Sequence, residues 1–120
     1  DTEAFALWFG RHATERKYPD LKDRPSRPLT VPQFEKRVAR GAALARHPAS
    51  RYAFMHAARE LHLFVDGEVL VCRGAAARLA ERLCGAADGR ITAADLRARD
   101  ACALALELYN FGALLFDDER

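Results

Sequence analysis

The chain has 120 residues, half of them hydrophobic and 30% charged. That is room for one domain or two small subdomains sharing a core, in the ordinary balance of a folded cytoplasmic protein. No apolar run approaches the ~18 residues of a membrane span, and the acidic opening lacks the basic-then-apolar order of a signal peptide. The net charge of +2 hides an asymmetry. Residues 1–60 carry 12 Lys/Arg against 7 Asp/Glu, and residues 61–120 carry 7 against 10. The basic first half points to an anionic partner, to contact with the acidic second half, or to a solvated surface. Cys72, Cys84 and Cys102 form an odd set without C-x-x-C spacing and lie among apolar residues. They read as small reduced core residues.

The first predicted element is a helix over residues 2–17. Phe5, Trp8, Phe9 and His12 recur at i, i+3, i+4, i+7, so the aromatic face is expected to be buried against something. A Pro-rich connector follows over 18–31, with Tyr18, Leu21 and Leu29 as anchors. A second helix then opens on Thr30, with Gln33 completing a capping box and Pro32 tolerated in the first turn. Its apolar stripe is Val31, Phe34, Val38 and Ala42; Lys36, Arg37 and Arg40 lie on the other side, and Gly41 ends it.

After Pro48 the period changes to two. Tyr52, Phe54 and His56 share one face of a strand, and Leu61, Leu63 and Val65 alternate with His62 and Phe64. Asp66-Gly67 is the two-residue turn that a type I′ hairpin requires, and Val69 to Cys72 run back as the second strand. A helix after Gly74 turns Ala76, Leu79, Ala80 and Leu83 inward. Thr92 caps a short helix, with Asp95 in its first turn. The last helix, from Arg99 to Asn110, has a stripe of Ala101, Leu104, Ala105 and Leu108 widened by Cys102, Leu106 and Tyr109, which predicts burial on two sides. Gly112 stops it, residues 113–116 read as a strand closing a sheet with the hairpin, and the acidic tail is expected to fray.

Catalytic constellations are missing from this pattern. His12, His47, His56 and His62 begin no H-x-D or H-x-E pair, and no G-x-S-x-G, phosphate loop or G-x-G-x-x-G occurs. Arg11, Arg16, Lys17, Lys36, Arg37 and Arg40 are candidate contacts for an anionic partner, although they are dispersed over separate elements. Hairpin, helix, turn and helix make a winged-helix pattern. Its candidate recognition segment, residues 93–111, sets Arg97 and Arg99 against Asp95, Asp100 and Glu107, which argues against sequence-specific DNA reading.

Three segments carry a resemblance. They are ALWFG at 6–10, TVPQFEKRVARG at 30–41 after the Pro-rich connector, and GRITAADL followed by LELYNFGALLF at the end. Together they resemble the C-terminal region of bacterial JmjC/cupin-type ribosomal oxygenases. Those enzymes use iron(II) and 2-oxoglutarate to hydroxylate a ribosomal protein, on an arginine in the bacterial case. The resemblance implies an α+β chain: a helical linker and dimerisation region at 1–48, then a winged-helix-like domain with a small antiparallel sheet at 49–120. It covers the non-catalytic portion only, so no iron or 2-oxoglutarate ligand carries over and no cofactor is expected in this chain. It implies a homodimer, contact with the parent's cupin domain and, through that, a ribosomal protein. Phe5, Trp8, Phe9, Phe34 and Val38 are the expected dimerisation or packing residues. Residues 60–116 are also similar to winged-helix peptide-binding domains such as the peptide chaperone of pyrroloquinoline quinone biosynthesis, which implies a stand-alone peptide-binding adaptor. A nucleic-acid-binding winged helix is the third reading.

Overall fold

The computed structural model describes residues 2–15, 25, 27–85 and 87–119, with the backbone alone for Thr2 and Phe5. The elements run α1 (Thr2–Thr14), α2 (Val31–Ala39), β1 (Leu44–Arg46), β2 (Tyr52–Ala57), β3 (Glu60–Val65), β4 (Glu68–Cys72), α3 (Gly74–Gly85), α4 (Arg99–Phe111) and β5 (Leu114–Phe116). Single 3-10 turns occupy Ala93–Leu96 and Asp117–Glu119. The expected α+β architecture is present, with a winged-helix arrangement of strands, helix, turn and helix.

β2, β3 and β4 form one antiparallel sheet in that order. The hairpin turn falls at Asp66 (φ 50°) and Gly67 (φ 87°), the left-handed pair that the Asp-Gly dipeptide predicts. Asp66 also fastens the turn sideways. Its carboxylate accepts from the Arg51 amide at 2.9 Å and the Ser50 hydroxyl at 2.9 Å. Register sets the two faces. Leu61, Leu63 and Val65 pair with Cys72, Leu70 and Glu68 on one side and with His56, Phe54 and Tyr52 on the other. This face packs on α3, and its Leu61, Leu63, Val65 and Cys72 belong to the core, whereas Phe54, His56 and Glu68 are exposed. His62 and Phe64 point the opposite way, yet both are buried, because α1 lies across that outer face.

The core continues through the helices. α4 buries Ala101, Leu104, Ala105, Leu106, Leu108 and Tyr109, so the expected two-sided burial is observed. Gly112 ends it in the left-handed conformation, φ 88°. α2 opens with the predicted capping box: Thr30 Oγ1 accepts from the Gln33 amide at 3.4 Å, and Gln33 Oε1 accepts from the Thr30 amide at 2.9 Å. Its Phe34 is fully buried and sits 6.2 Å from Tyr109 and 5.7 Å from Phe116, ring to ring. Just before this helix, Asn110 clamps Leu29 at both backbone groups, at 2.9 and 3.0 Å. Tyr18 and Leu21, the other two expected anchors, lie outside the described residues.

Two expectations are corrected here. β5 does not extend the hairpin sheet; it pairs antiparallel with β1, Leu44 opposite Phe116, in a separate two-stranded sheet. Leu44 also bridges to Ile91, so a three-residue strand with no readable period is held from both sides. The acidic tail does not fray. Asp117 pairs with Arg90, Asp118 with Arg37 at 2.9 Å, and Glu119 accepts from the Tyr109 hydroxyl and the Phe116 amide, each at 3.0 Å. Basic side chains from earlier in the chain neutralise the acids where they fold over the sheet.

Candidate functional site

The first helix has two faces, and the one that packs on the chain's own sheet is not the aromatic stripe. Its period is helical as expected, but it runs only from Thr2 to Thr14; Arg16 and Lys17 lie outside the described residues. The inward stripe consists of Ala6, Leu7, Gly10 and Thr14. Gly10 sits directly on the Phe64 ring: a Cβ added there would lie 2.6 Å from Phe64 Cζ. Only a residue without a side chain permits that approach. At the other end, the Thr14 hydroxyl accepts from the Gly67 amide at 3.0 Å and donates to the Gly10 carbonyl at 3.0 Å. Arg11 Nε donates to the Gly67 carbonyl at 3.3 Å. The helix is thus latched to the hairpin turn through backbone groups. The readable signal was the four-residue spacing of small residues, Ala6, Gly10, Thr14, which the larger aromatics masked.

Trp8 and Phe9 consequently face away from the sheet, 59% and 58% exposed. Trp8 stacks on His12, with ring centroids 5.2 Å apart. The expected burial of these aromatics is therefore not met within the chain. The side chain of Phe5 lies outside the described residues. Phe34 and Val38, the other two residues expected to serve dimerisation or packing, are buried in the chain's own core.

The four described basic candidates fall into two separate places. Arg11 lies over the outer face of the sheet, whereas Lys36, Arg37 and Arg40 belong to the α2 end, and α2 packs on α4. Arg37 is committed inside the molecule. Its guanidinium lies 4.0 Å over the Phe116 ring and pairs with Asp118. The histidines are scattered too. His47 Nδ1 accepts from the Ala49 amide at 3.0 Å, His56 faces Glu81 at 3.6 Å, and buried His62 pairs with Glu60 at 3.0 Å. Glu60 also accepts from Arg73 at 2.8 Å. The hydrogen bond from His62, and then that from Arg73, hold its carboxyl below the usual value of 4.5. Burial pushes the thiols of Cys72 and Cys84 up to about 11, as for inert packing cysteines, and raises that of Cys102 as well. Among the described residues no group of three or more His, Cys, Asp or Glu could hold a metal ion.

Comparison with known proteins identifies the kind of arrangement this is. The model of the ROXA-like winged helix family matches residues 1–115. The chain belongs to the ROXA-like winged-helix family. Solved structures similar to it are those of an Escherichia coli ribosomal oxygenase, YcfD. One matches at a TM-score of 0.74 and 20% identity over 94% of this chain and 29% of that one. The same enzyme with cobalt and 2-oxoglutarate matches at 0.71 and 19% identity, over 96% of this chain and 31% of that one. A third, described as the crystal structure of the oxygenase, matches at 0.70 and 19% identity, over 94% and 30%. At these identities the likeness is one of fold, and the chain spans less than a third of the length of the structures it matches. No curated protein matches it. No helix among the described residues is long and apolar enough to cross a membrane.

Proposed function

We propose that this chain is the non-catalytic C-terminal portion of a cytoplasmic iron(II)- and 2-oxoglutarate-dependent ribosomal protein hydroxylase, in which it serves dimerisation and scaffolding. The observation that carries the reading is the outward aromatic face of α1 in a member of the ROXA-like family. A helix that docks through its small residues and turns Trp8 and Phe9 outward presents apolar area to a partner. Full burial of one such side chain contributes about 1.5–3 kcal/mol. In a two-fold pair one patch serves both subunits, and in the parent the same helix would adjoin the catalytic cupin domain. Residues 1–48 would carry the association role even though α2 shares the core of the winged helix. The iron and 2-oxoglutarate belong to that catalytic domain. The histidines of this chain lie on separate elements, two of them buried, and do not fit such a site. The winged helix is read as scaffold rather than DNA reader, because the exposed positions of α4 include Asp100 and Glu107.

The test is sedimentation of the 120-residue chain across a concentration series. The wild type is expected to rise towards twice the chain mass. The Trp8→Ala, Phe9→Ala double variant is expected to remain monomeric with an unchanged circular dichroism spectrum. A wild type that stays monomeric throughout overturns the dimerisation role. Incubated with iron(II), 2-oxoglutarate and a ribosomal-protein peptide, the chain alone should release no succinate above blank.

A further inference from the structure

The last strand of the wing ends the sheet. Among the described residues β4 pairs with β3 alone, so its other edge has no strand beside it. The two-residue turn makes Val65 and Glu68 a hydrogen-bonded pair, and alternation then turns the N–H and C=O of Val69 and Val71 outward. Proteins usually guard such an edge with lysine, proline, a bulge or a covering element. The sequence of β4, Glu-Val-Leu-Val-Cys, has none of the first three, and Val71 is 58% exposed.

Among the described residues no helix closes this edge; α1 crosses the outer face of the sheet, and α4 stands to the side. Between β4 and α4 lies an open groove of about 600 Å³, floored by Leu70 and Leu104 and walled on the helix side by Ala103. It continues past Glu107 into a smaller hollow of about 190 Å³ towards Glu68 and Phe111. Ala103 is an exposed position of α4, and its short side chain leaves the space between helix and strand unfilled. An added strand needs ~4.8 Å of lateral room beside β4.

The charge around this groove has one dominant sign. Glu68 stands at one end, Glu107 midway, and Asp100 at the other. Asp100 is held in place by accepting from the Ala76 and Ala101 amides at 3.3 and 3.0 Å. The basic residue among those that line it, Arg73, is paired with Glu60 at 2.8 Å.

We propose that this groove binds a short, extended, basic peptide segment of another protein as a fourth strand of the wing sheet. Its backbone bonds to Val69 and Val71, an apolar side chain rests on Leu70 and Leu104, and its Lys or Arg side chains reach Glu107 and Asp100. A second copy of β4 does not fit, since it would bring its own Glu68 against the same acids. DNA is excluded by the sign of the rim. The inference is independent of the dimerisation role, which lies on α1 across the sheet.

The probe is an end-capped seven-residue peptide alternating arginine and valine, titrated into the full 120-residue chain and followed by amide NMR shifts and calorimetry. Shifts are expected at Val69, Val71, Ala103 and Glu107. N-methylation of alternate peptide amides, which keeps charge and side chains but removes strand bonding, should weaken binding at least about ten-fold. Glu107→Lys should weaken it about five-fold, the scale of one exposed ion pair, without changing the fold. Equal binding of the N-methylated peptide, shifts confined to other surfaces, or no binding at millimolar peptide would each overturn the proposal. Concentration-dependent shifts of Val69 and Val71 without peptide would assign the edge to a second copy and overturn it too.

Discussion

The helices α1 and α4 are equal in length, 13 residues each, and both are rich in large apolar side chains, yet the fold uses them in opposite ways. α4 sinks Leu104, Leu106, Leu108 and Tyr109 among α2, α3, β5 and the turn at Ala93–Leu96. α1 keeps Trp8 and Phe9 outside and docks on Gly10 and Thr14. The difference lies in what each helix meets. α4 is surrounded by separate elements that can each move to fit a large side chain. α1 lies on a finished sheet whose outer face already holds a protruding ring, Phe64, and there the fit is decided by how closely the backbone can approach. The largest side chains therefore mark the buried stripe of α4 and the exposed one of α1.

That contrast can be tested most severely at the α4 end. Phe116 is fully buried against Phe34 and Tyr109. Phe116→Ala is expected to cost about 3–5 kcal/mol, read as a fall in the urea midpoint of the whole chain. A loss below about 1 kcal/mol would mean that this aromatic group is not the centre of the core.

A smaller effect is expected where α1 meets the sheet. Gly10→Ala gains up to about 1 kcal/mol of helix propensity. It also forces a methyl against a ring that is only 2% exposed and cannot swing aside, an overpacking cost of about 1–3 kcal/mol. Net destabilisation is expected, with faster hydrogen exchange at the Gly67 amide, whose partner is Thr14. Gly85→Ala, near the end of α3 with nothing within 4 Å of the new methyl, should instead stabilise by about 0.4–1 kcal/mol. If both substitutions stabilised, the close approach of α1 would be refuted.

The smallest effect is electrostatic and belongs to the sheet under α1. Glu60 is held below its ordinary value of 4.5 by hydrogen bonds from His62 and Arg73. Its contribution to stability is therefore complete above that value and is lost as pH falls through the lowered one. Glu60→Gln should lower stability slightly and evenly between pH 6 and 8 and flatten the acid limb, so that the two stability–pH curves converge at low pH. An acid limb identical to the wild type would show that the pair does not couple to folding.

Local chemistry made much of this architecture legible. The Asp-Gly turn, the Thr30–Gln33 capping box, the Gly112 stop and the double stripe of α4 each follow from a few neighbouring residues, and each stands where the sequence put it. What could not be read was every decision between distant segments. The partner of Leu114–Phe116 is a three-residue strand too short to show a period, and the tail is ordered by Arg37 and Arg90, 81 and 27 residues away from Asp118 and Asp117. The docking face of α1 depends on Phe64, and the edge groove exists only because α4 comes to lie beside β4 with Ala103 between them. Periodicity and turn residues report forces that act within a few residues of chain. Which face is buried, and which acids end up together, depends on shape complementarity between surfaces that exist only after folding.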